Sequence, residues 1–458
     1  MKKNDFLELI ITDTDKNGYG IAHAENGMTV FVRNACAGDK LTAKIIKITK
    51  SYAVAIIENI LQPSADRVAG GCSVCGKCGG CVFQHISYEA ECRFKAESIN
   101  SALQRIGKLD LKLSEFYGAK NINSYRNKAV YPVGADKDGN AVSGFYAQMS
   151  HRIIPHESCS IGDDDFVRIR DFIVSYITKN NIAPYNETDR TGILRSIFLR
   201  KAASDNSIIL TLIINTPKFH SDKTEFDFCA NIINSFPQIC SVLVNVNQKP
   251  SNAVLGSKWR TLYGDGYLYD TLCGKSFRIS PASFYQVNHE QTEVLYGIAK
   301  DFAGLLPGQT LLDLYCGTGT VGICIAEKDT ELIGVEIVPQ AAKDAEYNAK
   351  KNSLNAKFVC LDAEHALDDP KLSELKPDVI TIDPPRKGCG IEAATKIAGL
   401  GAGKIVYISC DPATLARDLA QFEKCGYKAV CAKGVDMFPR TGHVECCVLL
   451  SSTQHSSI

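Results

Sequence analysis

No run of about 18 apolar residues occurs in this sequence of 458 residues, so no membrane-spanning helix is expected. An export signal is missing as well. The opening residues MKKNDFLELI place Asp5 and Glu8 where a secretory signal needs an apolar stretch. Net charge is also lacking, because 51 Lys and Arg balance 51 Asp and Glu. That balance excludes a histone-like nucleic-acid binder and still permits a local basic groove. There is no internal repeat, and low complexity is confined to the tail SSTQHSSI.

Cysteine, by contrast, is abundant at nineteen residues. Without a secretion signal, such a count argues against a disulfide framework and for a reducing cytoplasm. Any one of these residues reads first as a small buried hydrophobe. Four stand apart. The stretch GGCSVCGKCGGCVF sets Cys72, Cys75, Cys78 and Cys81 at every third position, with glycines between them. Thiolates at such spacing can hold zinc or an iron–sulfur cluster, and four could suffice by themselves. Free cysteines in a loop are the plainer alternative.

The length implies two to four domains. Residues 1–62 alternate short β-rich stretches (FLELII, TVFV, KLTAKIIKI, YAVAIIENI) with turns such as DKNGYG, the pattern of a small barrel of about five strands. Residues 63–274 begin with the cysteine loop. Ser87 then opens a helix to about Lys108, with Ile99, Ala102, Leu103 and Ile106 on one face. A central α/β region follows. There Tyr125, Arg126, Lys128 and Tyr131 mix aromatics and bases as an RNA face does, although a half-buried strand explains them equally. Residues 275–458 alternate strands and helices, which predicts a Rossmann-like, mainly parallel, doubly wound sheet.

Within that last region, LLDLYCGTGTVG runs strand, glycine turn, helix, with Gly317, Gly319 and Gly322 spaced G-x-G-x-x-G. Glu336 follows Gly317 by 19 residues, at the end of the next strand. Glycines let a backbone approach a ligand, and the acid can take two ribose hydroxyls. Alone, the turn fits a dinucleotide fold or an ordinary loop. Asp313 within D-L-Y-C-G resembles the first motif of class I methyltransferases, which bind S-adenosylmethionine. Three further segments end later strands: TIDPPRKG with Asp383 and Arg386, YISCDPATLARDL with Cys410, and GHVECCVLL with Glu445. Taken singly, these are a turn acid, an inert thiol and a solvated charge. Their shared position on one sheet edge, beside a cofactor motif, argues for a joint role. An aromatic after D-P-P would suggest amino-methyltransferases. Arg386 stands there instead and a cysteine follows, which points to pyrimidine carbon chemistry, with RNA 5-methylcytosine enzymes the nearest confounder.

Over nearly its whole length the chain resembles the RNA uracil-5-methyltransferase family, in its iron–sulfur 23S ribosomal RNA branch. NGYGIAHAENGMTVFVRNACAGD resembles a TRAM domain, and SPASFYQVN, DLYCGTGT, VEIVPQAAKDAEYNAKKN, IDPPRKG, SCDPATLARDL and GHVE follow in the family's order. The resemblance implies an RNA methyltransferase in which Cys410 is the nucleophile toward carbon 6 of uracil. It also implies Glu445 as general base. Asp383 would hold polar edges near the uracil or the cofactor. Gln286, Tyr315, Gly317, Gly319, Thr320 and Glu336 match cofactor-binding positions, although Thr320 stands where several members carry Asn. Without the resemblance, Gln286 would read as a surface helix amide. For the metal, the resemblance favours a [4Fe-4S] cluster on Cys72, Cys78, Cys81 and a distant Cys159, leaving Cys75 as an extra thiol; zinc is the alternative. The expected partner is structured RNA, with 23S rRNA favoured, and the expected form is a cytoplasmic monomer. A tRNA substrate and a non-catalytic RNA-binding role are the competing expectations. Eight Lys and Arg against seven Asp and Glu in residues 1–60 make the barrel only slightly basic.

Overall fold

The computed structural model describes residues 1–453 except 220 and 251; the end of the SSTQHSSI tail lies outside the described residues. Residues 6–62 form one sheet of six strands: Phe6–Ile10, Asp13–Thr14, Tyr19–His23, Thr29–Arg33, Lys40–Ile48 and Tyr52–Gln62. The count is six rather than five because the first strand bends. Phe6–Ile10 pairs with Lys40–Ile48, and its continuation Asp13–Thr14 pairs with Tyr19–His23 at the opposite edge. Two hydrogen bonds make the bend: Ile11 N donates to Asp39 O (2.9 Å) and Thr12 N to Ile21 O (2.8 Å). Alternate residues such as Val30, Val32, Ala43, Ile45, Ala53 and Ala55 fill the interior, the period-2 pattern of a sheet with one buried face.

The helix Tyr88–Arg105 begins at Ser87, whose hydroxyl caps Ala90 N at 3.2 Å. It ends before Ile106, which is exposed rather than part of the apolar face. Glu91, Lys95, Ile99, Ala102 and Leu103 are its buried stripe. This stripe packs on the helix Pro412–Lys424, within the C-terminal core. The strand Leu113–Tyr117 then joins the C-terminal sheet, parallel to Tyr427–Val435. The chain thus visits the C-terminal domain before building the central one.

The central sheet runs in the order Lys258–Tyr263, Ile239–Val246, Ile208–Ile214, Leu194–Lys201, Lys128–Ala135, Ala141–Ser143. Its helices are Asp164–Lys179 and Asp222–Ser235. Tyr131 is fully buried here, so the half-buried strand, not an RNA face, accounts for it. A boundary at 274/275 falls in the turn of the hairpin Leu268–Leu272/Lys275–Ile279, whose apolar residues pack into the C-terminal core.

The C-terminal sheet has eight strands. Their order is Asn355–Val359, Glu331–Val335, Thr310–Leu314, Val379–Ile382, Lys404–Ser409, Glu445–Ser452, Tyr427–Val435 and Leu113–Tyr117. The first five are mutually parallel. Strand order reverses between Thr310–Leu314 and Val379–Ile382, the crevice where open α/β sheets bind ligands. No helix among the described residues is long and apolar enough to cross a membrane.

One buried charge cluster joins these parts. Lys95 Nζ donates to Glu91 Oε1 (2.6 Å), Asp436 Oδ1 (2.7 Å) and Phe438 O (3.1 Å). Tyr88 OH donates to Asp436 Oδ2 (2.8 Å), and Arg440 N donates to Glu91 Oε1 (2.7 Å). All three charged side chains are essentially inaccessible. Burial pushes Glu91 up to about 7 in spite of Lys95 beside it. Removing the shared cation would strand buried carboxylates, which costs about 3–5 kcal/mol. Lys95→Met is therefore expected to lower stability by about that much in denaturant unfolding; a loss below about 1 kcal/mol would contradict this role.

Candidate active site

The glycine loop is set by Asp313, the fourth residue of its strand. Asp313 is buried, and its Oδ2 accepts from Gly322 N (2.9 Å) while Oδ1 accepts from Thr381 Oγ1 (2.7 Å) on the neighbouring strand. Burial pushes its carboxyl up to about 7. Tyr315, Gly317 and Gly319 all adopt left-handed backbone, at φ 63°, 57° and 80°. For Tyr315 that conformation costs about 1 kcal/mol, so the turn is held against local preference. Glu336 supplies part of the hold. Its Oε2 accepts from Gly317 N (2.9 Å) and its Oε1 from Val338 N (2.8 Å).

Thr320 opens the short helix Thr320–Ile325, and its hydroxyl meets Tyr296 OH at 3.2 Å in the interior. Gln286 is buried and precedes the helix His289–Ala303, so it is neither helical nor on the surface. Its carbonyl accepts from Asn127 Nδ2 (3.0 Å), which ties it to the central domain. That backbone contact helps to fix its position.

Asp383, Cys410 and Glu445 follow or begin the three adjacent strands Val379–Ile382, Lys404–Ser409 and Glu445–Ser452. The fold therefore brings together three residues spread over 63 positions; Asp383 acts on both Cys410 and Glu445, and Glu445 acts on Cys410. Burial, then Glu445 and Asp383, push the Cys410 thiol up to about 12, while Arg386 opposes them. Burial and Asp383 push Glu445 well above the usual carboxylate range, again against Arg386. Burial and Asp313 bring Asp383 up to about 7. Burial and repulsion thus disfavour the anionic forms of both Cys410 and Glu445. The N-terminus of the helix Pro412–Lys424 does not offset this, because Asp411 Oδ1 already accepts from Ala413 N (3.0 Å) and Thr414 N (3.1 Å).

Arg386 is anchored beside Cys410 by its carbonyl, which accepts from Thr414 Oγ1 at 3.2 Å. Its guanidinium donates to His443 Nε2 at 3.3 Å. Burial and the surrounding cations Arg386, Arg126, Lys95 and Lys16 push His443 down to about 4, so it stays neutral and can accept that bond. The pocket above Cys410 has a volume of about 400 Å³, and Lys16, Asn17, Gly80, Arg386 and His443 help line it. Sequence reasoning missed Lys16 and Asn17. DKNGYG carries only turn chemistry, and the contact spans about 400 residues of chain.

The cysteines of the loop converge on a second cavity of about 870 Å³. Cys72, Cys75, Cys78, Cys81 and Cys159 all line it, together with Arg126 and Lys128, and no carboxylate does. Cys159, almost eighty residues away in sequence, reaches the loop. Cys72 raises the pKa of each of the other four thiols, and Cys159 raises those of Cys78 and Cys81. Cys75 is raised by Cys72 and in turn raises Cys78. None of the nineteen cysteines forms a disulfide. Among the described residues, no group of three or more His, Cys, Asp or Glu side chains is already drawn into metal-ligand geometry.

Comparison with known proteins agrees with this architecture. Residues 272–453 match the model of the tRNA (Uracil-5-)-methyltransferase family, and residues 2–57 match the TRAM domain. The chain is 40% identical to an uncharacterized RNA methyltransferase of Clostridium acetobutylicum over 98% of both chains. It is 37% identical to another from Halalkalibacterium halodurans, again over 98% of both. In fold it is similar to the Pyrococcus abyssi tRNA (uracil-54, C5)-methyltransferase solved with S-adenosyl-L-homocysteine. That match has a TM-score of 0.76 and 22% identity, covering 97% of this chain and all of the other. With its glycine loop and thiol–carboxylate site on a sheet shared with such relatives, the chain belongs to the RNA uracil-5-methyltransferase family and carries a TRAM domain at its N-terminus.

Proposed function

We propose that this enzyme methylates carbon 5 of a uridine in 23S rRNA through a covalent bond between Cys410 and carbon 6 of the base. The observation that carries the reading is the convergence of Cys410, Asp383, Glu445 and Arg386 at one edge of the sheet. Carbon 5 of uracil is a poor nucleophile. Addition of the Cys410 thiolate to carbon 6 moves electron density onto carbon 5. S-adenosylmethionine, when bound, supplies the electrophilic methyl. Glu445 as carboxylate then takes the carbon 5 proton, the ring double bond re-forms, and the thiolate leaves. The site disfavours both anions, so each step depends on stabilising the deprotonated form of its group. Arg386, the cation that favours both anions, is positioned to assist.

The residues present suit the cofactor. Each Glu336 oxygen spends one lone pair on the loop backbone and keeps one for a ribose hydroxyl. Tyr315, Gly317, Gly319 and Thr320 would shape the adenosine side. Gln286 and Asp383 would contact the reacting end. A target base must leave its stack to reach the Cys410 pocket. Free thiols throughout the chain support a cytoplasmic enzyme, and the reading takes it to act as a monomer.

The 23S rRNA substrate is supported by the resemblance of the cysteine-loop sequence to that branch, whereas the TRAM domain is compatible with either RNA, since the tRNA enzyme similar in fold covers 97% of this chain. The name of the matched family model favours a tRNA instead, and this is the competing substrate. The cysteine cavity fits an anionic thiolate-bound group, since it offers five thiols, two cationic side chains and no carboxylate. Cys72, Cys78, Cys81 and Cys159 would hold a [4Fe-4S] cluster with a structural role. Leaving Cys75 out rests on the family resemblance, since all five thiols line the one cavity.

Glu445→Gln is expected to trap the adduct as a protein–RNA band on a denaturing gel, and Cys410→Ala to abolish both band and methylation. A Cys410→Ala enzyme at the parental rate would remove the covalent mechanism. For the cavity, iron and acid-labile sulfide are measured in protein purified without oxygen. Cys159→Ala is expected to lose iron and Cys75→Ala to keep it. The reverse result would place the cluster on the four loop cysteines, and zinc without sulfide would replace the cluster reading.

A further inference from the structure

The barrel's turn Asp15–Gly18 is built into the wall of the catalytic pocket. Asp15 shapes the turn, since Oδ1 accepts from Asn17 N (2.9 Å) and Tyr19 N (2.8 Å) and Oδ2 from Asn17 Nδ2 (3.0 Å). Two glycines then let it seat. Gly18 lies at φ 74°, where a Cβ would come within 2.2 Å of Val82 O in the cysteine loop. At Gly442 a Cβ would come within 1.8 Å of Lys16 O. The turn is therefore wedged between the end of the cysteine loop and the segment that leads into Glu445. Val82 N closes the joint by donating to Arg440 O at 2.8 Å.

This seating puts Lys16 and Asn17 on the lining of the pocket that contains Cys410. The Lys16 side chain is exposed and has no ion-pair partner among the described residues. Arg386, on the same lining, makes no ion pair within 4 Å among them; its guanidinium hydrogen-bonds His443 and acts on Cys410 and Glu445 through its charge. The field of these cations is felt inside the pocket, at His443. In a chain of zero net charge, unpaired cations from two distant domains thus flank one small pocket above the nucleophile. A nucleotide entering that pocket base-first carries a phosphate on each side of its ribose, and those phosphates remain at the rim.

We propose that Lys16, presented by the barrel, is a positioning residue that binds a backbone phosphate flanking the target uridine, opposite Arg386, so that the TRAM domain completes the substrate pocket. The proposal rests on the uridine-methyltransferase reading and deepens it. It assigns the barrel a specific task at the reacting nucleotide, beyond general affinity for RNA. Phosphate contacts of this kind fix register and contribute salt-dependent affinity.

The test uses the full-length protein, unmodified 23S rRNA transcript as probe, and the variants Lys16→Gln and Lys47→Gln. Lys47 is an exposed lysine on the same barrel that does not line the pocket. Lys16→Gln is expected to raise KM for RNA about tenfold while kcat at saturating RNA and the affinity for S-adenosylmethionine stay within about twofold. The slope of log affinity against log salt should become shallower by about 0.7–0.9, the loss of one phosphate contact, while Lys47→Gln changes neither quantity. A Lys16→Gln enzyme with the parental KM and salt slope would overturn the proposal, and so would equal losses in both variants. A parental enzyme that methylates none of this RNA would remove the underlying reading together with it.

Discussion

A single buried ammonium holds the parts of this enzyme in register. Lys95 lies between Glu91, on its own helix, and Asp436, on the segment that leads to Glu445. That segment is also gripped from the other side. Asn288 Nδ2 donates to Met437 O (3.2 Å) and Gln291 Nε2 to Asp436 O (3.1 Å), so the helix that follows Gln286 is bound to it. Arg440 carries the link onward, with its Nη1 donating to Ile86 O (2.9 Å) and its carbonyl accepting from Val82 N (2.8 Å). Helix 88–105, the cysteine loop and the approach to Glu445 thus share one cluster. A buried charge group is a costly way to gain stability, but it permits few alternative arrangements.

The same low-dielectric setting defines the chemistry. Cys410 and Glu445 are crowded by burial and by Asp383, which disfavours the thiolate of one and the carboxylate of the other. A thiol in that state is poorly reactive toward stray electrophiles. Arg386 is the counterweight, and it is fixed by the first turn of the helix that begins after Cys410. Cys410 and Glu445 are therefore set by neighbouring strand ends, and Arg386 by the short turn that follows the strand Val379–Ile382.

Much of the catalytic domain was legible in the sequence, because strand, glycine turn and helix signals there are local. The glycine loop, Glu336 at the end of the next strand, and the three strand-end residues all lie where the pattern predicts. What was illegible depends on long-range pairing. Leu113–Tyr117 is a five-residue strand whose partner lies more than 300 positions away, and nothing in LSEFY names that partner. The bend at Ile11 and Thr12 splits one strand into two, which periodicity cannot show. Gln286 looked like a surface helix amide because FYQVNHEQ runs directly into a helix, whereas burial against the central domain is a tertiary fact. The reach of Cys159 into the cysteine cavity was legible only through family resemblance, and Lys16 at the pocket was not legible at all.

The central claim is methylation of uridine carbon 5 in ribosomal RNA, and nucleoside mapping tests it most directly. RNA from cells with and without the gene is separated into 23S rRNA and tRNA, digested, and scored for 5-methyluridine by mass spectrometry. The account predicts loss of 5-methyluridine from 23S rRNA alone, restored by the intact gene. Loss from tRNA alone would contradict the substrate, and unchanged 5-methyluridine in both fractions would contradict the activity.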